Sequence, residues 1–361
     1  MSSEDPKGET PQRVIRVGQR AIGADHEPFI AAEMSGNHNQ SLERALAIVD
    51  AAAAAGAHAL KLQTYTADTM TLDLDGEGFT ITDAGSLWSG RKLYDLYAEA
   101  FTPWEWHAPI FGRCRELGLI PFSSPFDASA VELLESLQAP LYKIASFELV
   151  DIPLIQACAR TGKPLIMSTG MANPAEIHDA VHAARDAGCR DIVLLKCTST
   201  YPASPEASNL ATIPAMRQVF GCPVGLSDHT MGVGVAAAAV ALGAVFVEKH
   251  FTLSRSDGGV DSAFSLEPPE LASLVVECRR AWQAVGEVRL GTTGTEERSL
   301  QFRRSLYAVR DIPANAVIGP EDVKAIRPGM GLAPKYLEVV VGMRARRDIA
   351  RGTPLDWSIL G

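Results

Sequence analysis

The chain has 361 residues, 47% of them hydrophobic, enough to bury a large core as one big domain or two smaller ones. A net charge of −10 excludes a protein built to grip a phosphate backbone, which needs a basic face. No apolar run approaches the roughly 20 residues that cross a bilayer, and the polar start MSSEDPKGETPQR lacks a signal core, so we expect a cytoplasmic protein with neither nucleic acid nor membrane as partner.

Residues 1–20 read as a polar tail. From 21 to 290, short, continuous apolar runs alternate with longer helical patterns. The runs at 29–35, 59–65, 119–124, 141–146, 164–169, 191–199, 224–229 and 245–251 have the character of strands buried on both faces of a parallel sheet. Between them lie helical stretches such as LERALAIVDAAAAAG, SAVELLESL, PLIQACARTG, AEIHDAVHAARDAG, LATIPAMRQVFG, VGVAAAAVALG and PPELASLVVECRRAWQAVG, several ending at the glycine that commonly stops a helix. Eight β/α units predict a closed (β/α)8 TIM barrel rather than an open doubly wound sheet, and no GxGxxG opens the first helix.

The Thr-, Asp- and Gly-rich segment 66–90 is too long for an ordinary connection and reads as an insertion over the barrel mouth. A polar Gly/Thr linker within 291–304 leads to a small unit at 305–361, with short strands, turns and one or two small helices. So small a unit is expected to dock against a barrel, its own or a partner's. Cys114, Cys158, Cys189, Cys197, Cys222 and Cys278 are scattered without a CxxC pair and read as reduced, buried thiols.

Barrel enzymes draw their chemistry from the carboxyl ends of the strands. Polar residues collect there: Glu33, Lys61 with Gln63, Ser124, Lys143 with Ser146 and Glu148, Ser168, Ser199 with Tyr201, Ser227-Asp228-His229 and Glu248-Lys249-His250. A buried lysine is expensive without a partner, so Lys61 and Lys143 point to an anionic ligand; the bland alternative pairs each with a carboxylate such as Glu33 or Glu148. His229 and His250 end neighbouring strands, and two imidazoles with open positions suit a catalytic divalent ion. His38 reads as an orienting group. By themselves Lys61, Lys143 and Lys249 equally permit a Schiff-base aldolase.

The motifs AEMSGNHNQSLERA, ALKLQTY, PFSSPFD, YKIASFEL, PLIMSTGMA, VLLKCTSTYP, VGLSDHT, EKHFTLSRSDGGVDSAFS, FRRSLYAVRDI and IRPGMGL occur in this order, and from Phe29 onward the sequence resembles the sialic acid synthase family. The resemblance implies a TIM barrel followed by an antifreeze-like (SAF) domain at 305–361, and an enzyme that condenses phosphoenolpyruvate with an acylamino sugar. It implies that Lys61, Ser124, Lys143, Ser146, Ser168, Ser199 and Ser227 hold the phosphate and carboxylate of phosphoenolpyruvate. His229 and His250 would bind Mn²⁺ or Mg²⁺, with Co²⁺ admissible, and Glu33 would assist at the oxocarbenium centre and its attacking water. Gln63, Glu148, Tyr201 and Asp261 would contact the sugar, and Arg327 would reach into a partner's barrel, which makes the protein a domain-swapped homodimer.

Met34-Ser35-Gly36 and LKLQTYTADTMTLD are similar to the pseudaminic acid synthase branch, whose acceptor is a diacetamido-trideoxy altrose. N-acetylneuraminic and legionaminic acid synthases, using N-acetylmannosamine or a related sugar, are the nearest alternatives. The missing hydroxyl favours an apolar wall, for which Met34, Tyr65 and Phe147 are candidates. A carbohydrate- or ice-binding protein is a further rival, but a binder has no need of a buried Lys/His array.

Overall fold

The computed structural model describes residues 13–361; residues 1–12 of the expected tail lie outside them. The stretch read as tail contains strand residues. Strands β1 (Ile15–Val17) and β2 (Arg20–Ile22) form an antiparallel hairpin. Ile15, Val17 and Ile22 are buried while Arg16 is exposed, the alternation of a half-buried ribbon. The three join Phe29, Phe122, Val193 and Phe246 in one apolar cluster, so the hairpin plugs the amino-terminal end of the barrel.

The barrel strands are β3 (Phe29–Glu33), β4 (Ala59–Thr64), β5 (Ile120–Pro125), β6 (Tyr142–Ile144), β7 (Leu165–Ser168), β8 (Ile192–Cys197), β9 (Val224–Asp228) and β10 (Phe246–His250). Each is parallel to its neighbours, and β10 pairs with β3 to close the ring. Helices α1 (Leu42–Ala54), α2 (Ala67–Met70), α3 (Leu93–Ala100), α4 (Trp104–Glu116), α5 (Ala128–Ser136), α6 (Ile152–Arg160), α7 (Pro174–Asp186), α8 (Thr212–Phe220), α9 (Gly234–Ala241) and α10 (Pro268–Val285) follow the strands. An outer core between strands and helices holds Ile48, Leu62, Tyr142, Leu194, Val247 and Leu274.

Helices α3 and α4 were not among the helical stretches read from the sequence. In α4, Pro109 removes an interior backbone donor and hides the pattern, yet His107, Ile110, Phe111 and Cys114 make one buried face that holds the helix in place. The insertion 66–90 contains α2 and turns; a bridge joins Thr80 to Lys92, and the Trp88 indole donates to the Val260 carbonyl at 3.0 Å.

Residues from Glu287 to Gly361 form a second compact unit. Strands β11 (Ser305–Ala308) and β12 (Val323–Ile326) pair antiparallel, and α11 (Leu337–Val340) is a single turn. Leu306, Ile318, Val340, Ile349, Leu355 and Leu360 give this unit an apolar core of its own. All six cysteines are buried and free. No helix among the described residues is long and apolar enough to cross a membrane.

Candidate active site

Side chains alternate across each strand, so every second residue faces the barrel axis. Toward the amino-terminal end these inward positions are apolar: Phe29, Ala59, Phe122, Ile166, Leu195 and Phe246. Two to four residues further along the same strands they become Glu33, Lys61, Ser124, Ser168, Cys197 and Glu248. The barrel therefore carries a polar floor on an apolar plug. Above it lies a cavity of about 650 Å³ lined by Lys61, Gln63, Lys143, Ser146, Glu148, Ser168, Ser199, Tyr201, Ser227, His229, His250 and Asp261. Glu33 and Ser124 sit beneath the cavity surface, both fully buried. Arg327 belongs to the second unit, exposed just after β12.

The two lysines share a carboxylate. Lys61 Nζ lies 2.6 Å from Glu33 Oε2 and 3.6 Å from Glu248 Oε1; Lys143 Nζ donates to the same Glu248 oxygen at 3.1 Å. Ser227 Oγ also donates to it, at 3.2 Å, and Lys61 Nζ approaches Ser124 Oγ at 3.4 Å. Lys61 thus pairs with Glu33 as the alternative anticipated, whereas the partner of Lys143 is Glu248. Burial raises the Glu248 carboxyl, but Lys143 and Lys61 outweigh it and hold it at about 2. Glu33, buried and beside that fixed negative charge, is pushed up to about 7 despite Lys61. Burial likewise lifts Glu148 to about 7, and its Oε2 is buried without a partner. Burial lowers the Lys143 ammonium. The floor is a compact array that exchanges protons near neutrality and offers two cations to an anion.

Hydroxyls surround the lysines. Ser146 Oγ and Ser199 Oγ are 2.8 Å apart, and Ser168 Oγ is buried with no partner. The turn after β7 has to be glycine: Gly170 has φ +44°, and a Cβ there would stand 2.4 Å from Ser146 Cβ and 2.6 Å from Ser199 Oγ.

His229 and His250 face each other with ring centroids 5.4 Å apart. His229 Nδ1 lies 2.8 Å from the Thr198 carbonyl, which accepts its proton; burial pulls this ring's pKa down, but Cys197 beside it outweighs that and raises it. His250 Nδ1 is buried without a partner, and burial holds this ring well below 6.5, in the neutral form a ligand needs. The pair fits a divalent ion, with oxygen ligands to come from substrate or water.

Another part of the cavity wall is apolar and aromatic. Tyr65, Met70, Ile81, Trp88, Tyr97, Phe126 and Phe147 line it, several from the insertion. Trp88 lies 5.8 Å from Tyr201, whose ring is 4.4 Å from that of His229.

Two expectations need correction. Met34 is fully buried in the outer core and does not reach the cavity, because it follows inward-facing Glu33 by one residue. Lys249 points away from the cavity to Asp228 at 2.6 Å, which removes it as a Schiff-base lysine. His38, read as an orienting group, is buried, with Nε2 3.2 Å from Thr102 Oγ1 and Nδ1 accepting from Gln40 N at 3.2 Å. Conversely, sequence reasoning assigned no role to Glu248 or Trp88. Alternation from His250 back along β10 was signal enough for Glu248; nothing in the insertion's composition marked Trp88.

Residues 48–289 match the NeuB family and residues 303–360 the SAF domain. The chain is 43% identical over 331 residues, 91% of its own length and 96% of the relative's, to the pseudaminic acid synthase of Helicobacter pylori. It is 34% identical over 350 residues, 94% and 96% of the two lengths, to the N,N'-diacetyllegionaminic acid synthase of Legionella pneumophila. Among solved structures, the N-acetylneuraminic acid synthetase of Leptospira borgpetersenii matches with a TM-score of 0.72 at 30% identity, over 81% of this chain and 96% of that one.

Proposed function

This chain belongs to the NeuB family, and from that premise we propose that it is a cytoplasmic enzyme condensing phosphoenolpyruvate with 2,4-diacetamido-2,4,6-trideoxy-L-altrose to give pseudaminic acid and phosphate. The observation that carries the chemistry is the meeting, in one cavity, of the Lys61–Glu248–Lys143 cluster and the facing His229 and His250 rings. The acceptor is assigned from the 43% identity to a pseudaminic acid synthase, and the aromatic wall offers a surface for a sugar short of hydroxyls.

In this reading Lys61 and Lys143 neutralise phosphoenolpyruvate, and Ser124, Ser146, Ser168, Ser199 and Ser227 donate to its phosphate and carboxylate oxygens. A divalent ion held by His229 and His250, Mn²⁺ or Mg²⁺, would supply Lewis-acid polarisation of the open-chain sugar's aldehyde. The vinyl carbon of phosphoenolpyruvate bonds to the aldehyde carbon, and the aldehyde oxygen gains a proton. Water then adds at the resulting oxocarbenium carbon, giving its proton to Glu33, whose value near 7 suits a base at neutral pH. Phosphate departs by carbon–oxygen cleavage. Gln63, Glu148, Tyr201 and Asp261 bind the sugar. Arg327 acts on a partner's barrel, in a domain-swapped homodimer.

The test is phosphate release from phosphoenolpyruvate with Mn²⁺, comparing N-acetylmannosamine with the diacetamido-trideoxy altrose. Turnover of the second alone is expected. Preference for N-acetylmannosamine would move the protein to the neuraminic branch, and no release with any acylamino sugar would end the proposal.

A further inference from the structure

Lys249 and Asp228 form a buried ion pair that the chemistry above leaves unused. They are register partners at the ends of β10 and β9, with side chains 0% and 1% exposed, and both point outward from the barrel. Lys249 Nζ donates to Asp228 Oδ2 at 2.6 Å and also to the Thr230 carbonyl. Asp228 Oδ1 accepts from Thr230 N at 2.9 Å and from Thr230 Oγ1 at 2.8 Å.

The two residues, with Thr230, bracket both imidazoles. Asp228 precedes His229 and Thr230 follows it, while Lys249 precedes His250. Every polar group of Thr230 is thereby tied to the pair, and the backbone on either side of His229 is fixed to the strand that carries His250. Two charges taken out of water cost several kcal/mol of desolvation, and well-packed apolar residues of similar volume often stabilise a fold as well or better. A pair kept at this position is better explained by what it holds still. We propose that Asp228 and Lys249 are positioning residues, a clamp that sets the separation of His229 and His250 for the divalent ion; this rests on the metal reading given above.

The test uses the full-length protein, with Mn²⁺ alone as probe and free Mn²⁺ followed by its paramagnetic resonance signal. Lys249→Met strands the Asp228 carboxylate and risks the fold. Asp228→Asn with Lys249→Met replaces the pair by neutral groups of similar size and keeps an acceptor for Thr230. That double variant is expected to melt near wild type, to bind Mn²⁺ about 10- to 100-fold more weakly, as loss of an outer-shell support does, and to change affinity for phosphoenolpyruvate less than about twofold. A purely structural pair predicts the same melting temperature but wild-type metal affinity, since neutral replacement would then restore both together. Mn²⁺ binding by the double variant within twofold of wild type therefore overturns the clamp. His229→Ala is the control that separates the two readings. If wild-type Mn²⁺ binding survives that change, the metal assignment falls, and the clamp with it.

Discussion

Glu148 lies where Lys143, the cavity and an apolar surround compete for one carboxyl group. Burial wins, and its value rises to about 7 with Oε2 left without a partner. An ionised carboxylate accepts a hydroxyl proton more strongly than a neutral acid does. The Michaelis constant for the sugar should therefore fall as pH rises through about 7 in the wild type. Glu148→Gln should flatten that step and give, at all pH values, the weaker binding seen below it; a step that persists in the variant would assign the titration elsewhere. At this scale, legibility in the sequence depended on side-chain parity. Polar residues at strand ends were visible, and so were the lysines and histidines that the structure gathers. Met34 stood as a candidate for the apolar wall, and the direction of Lys249 stayed open, because a run of consecutive buried residues carries no inward or outward label.

Eight parallel strands were readable as elements because strands covered on both faces are continuously apolar. Helix α4 was not, since Pro109 interrupts its pattern and only tertiary contact holds it. The insertion could be recognised as a long connection, but its fold comes from contacts distant in sequence, such as the bond of Trp88 to Val260. That bond anchors the aromatic wall beside Tyr201. Trp88→Ala removes both anchor and surface, and is expected to raise the sugar's Michaelis constant about tenfold, equivalent to ~1.4 kcal/mol. The constant for phosphoenolpyruvate should stay within about twofold. Equal effects on both substrates would mean that the insertion supports the whole site and not the acceptor side.

Two compact units, each with its own core, make up the molecule. If Arg327 serves a partner's barrel, two inactive chains can repair each other. A mixture refolded from His250→Ala and Arg327→Ala proteins contains hybrids in which the intact barrel of one chain receives the intact Arg327 of the other. Activity above the sum of the separate variants is expected; strict additivity would place Arg327 in its own chain's site or outside any site. Burial of the cysteines makes such arrangements measurable. The thiols of Cys114, Cys158 and Cys278 are pushed up to about 12 by their apolar surroundings, so at neutral pH they present almost no thiolate. Cys197 is the exception: it lines the cavity, and although burial raises its pKa, His229 beside it outweighs that and lowers it, so once Cys197 is replaced a cysteine introduced at exposed Lys335 would take a spin label or dye in preference to the remaining native thiols.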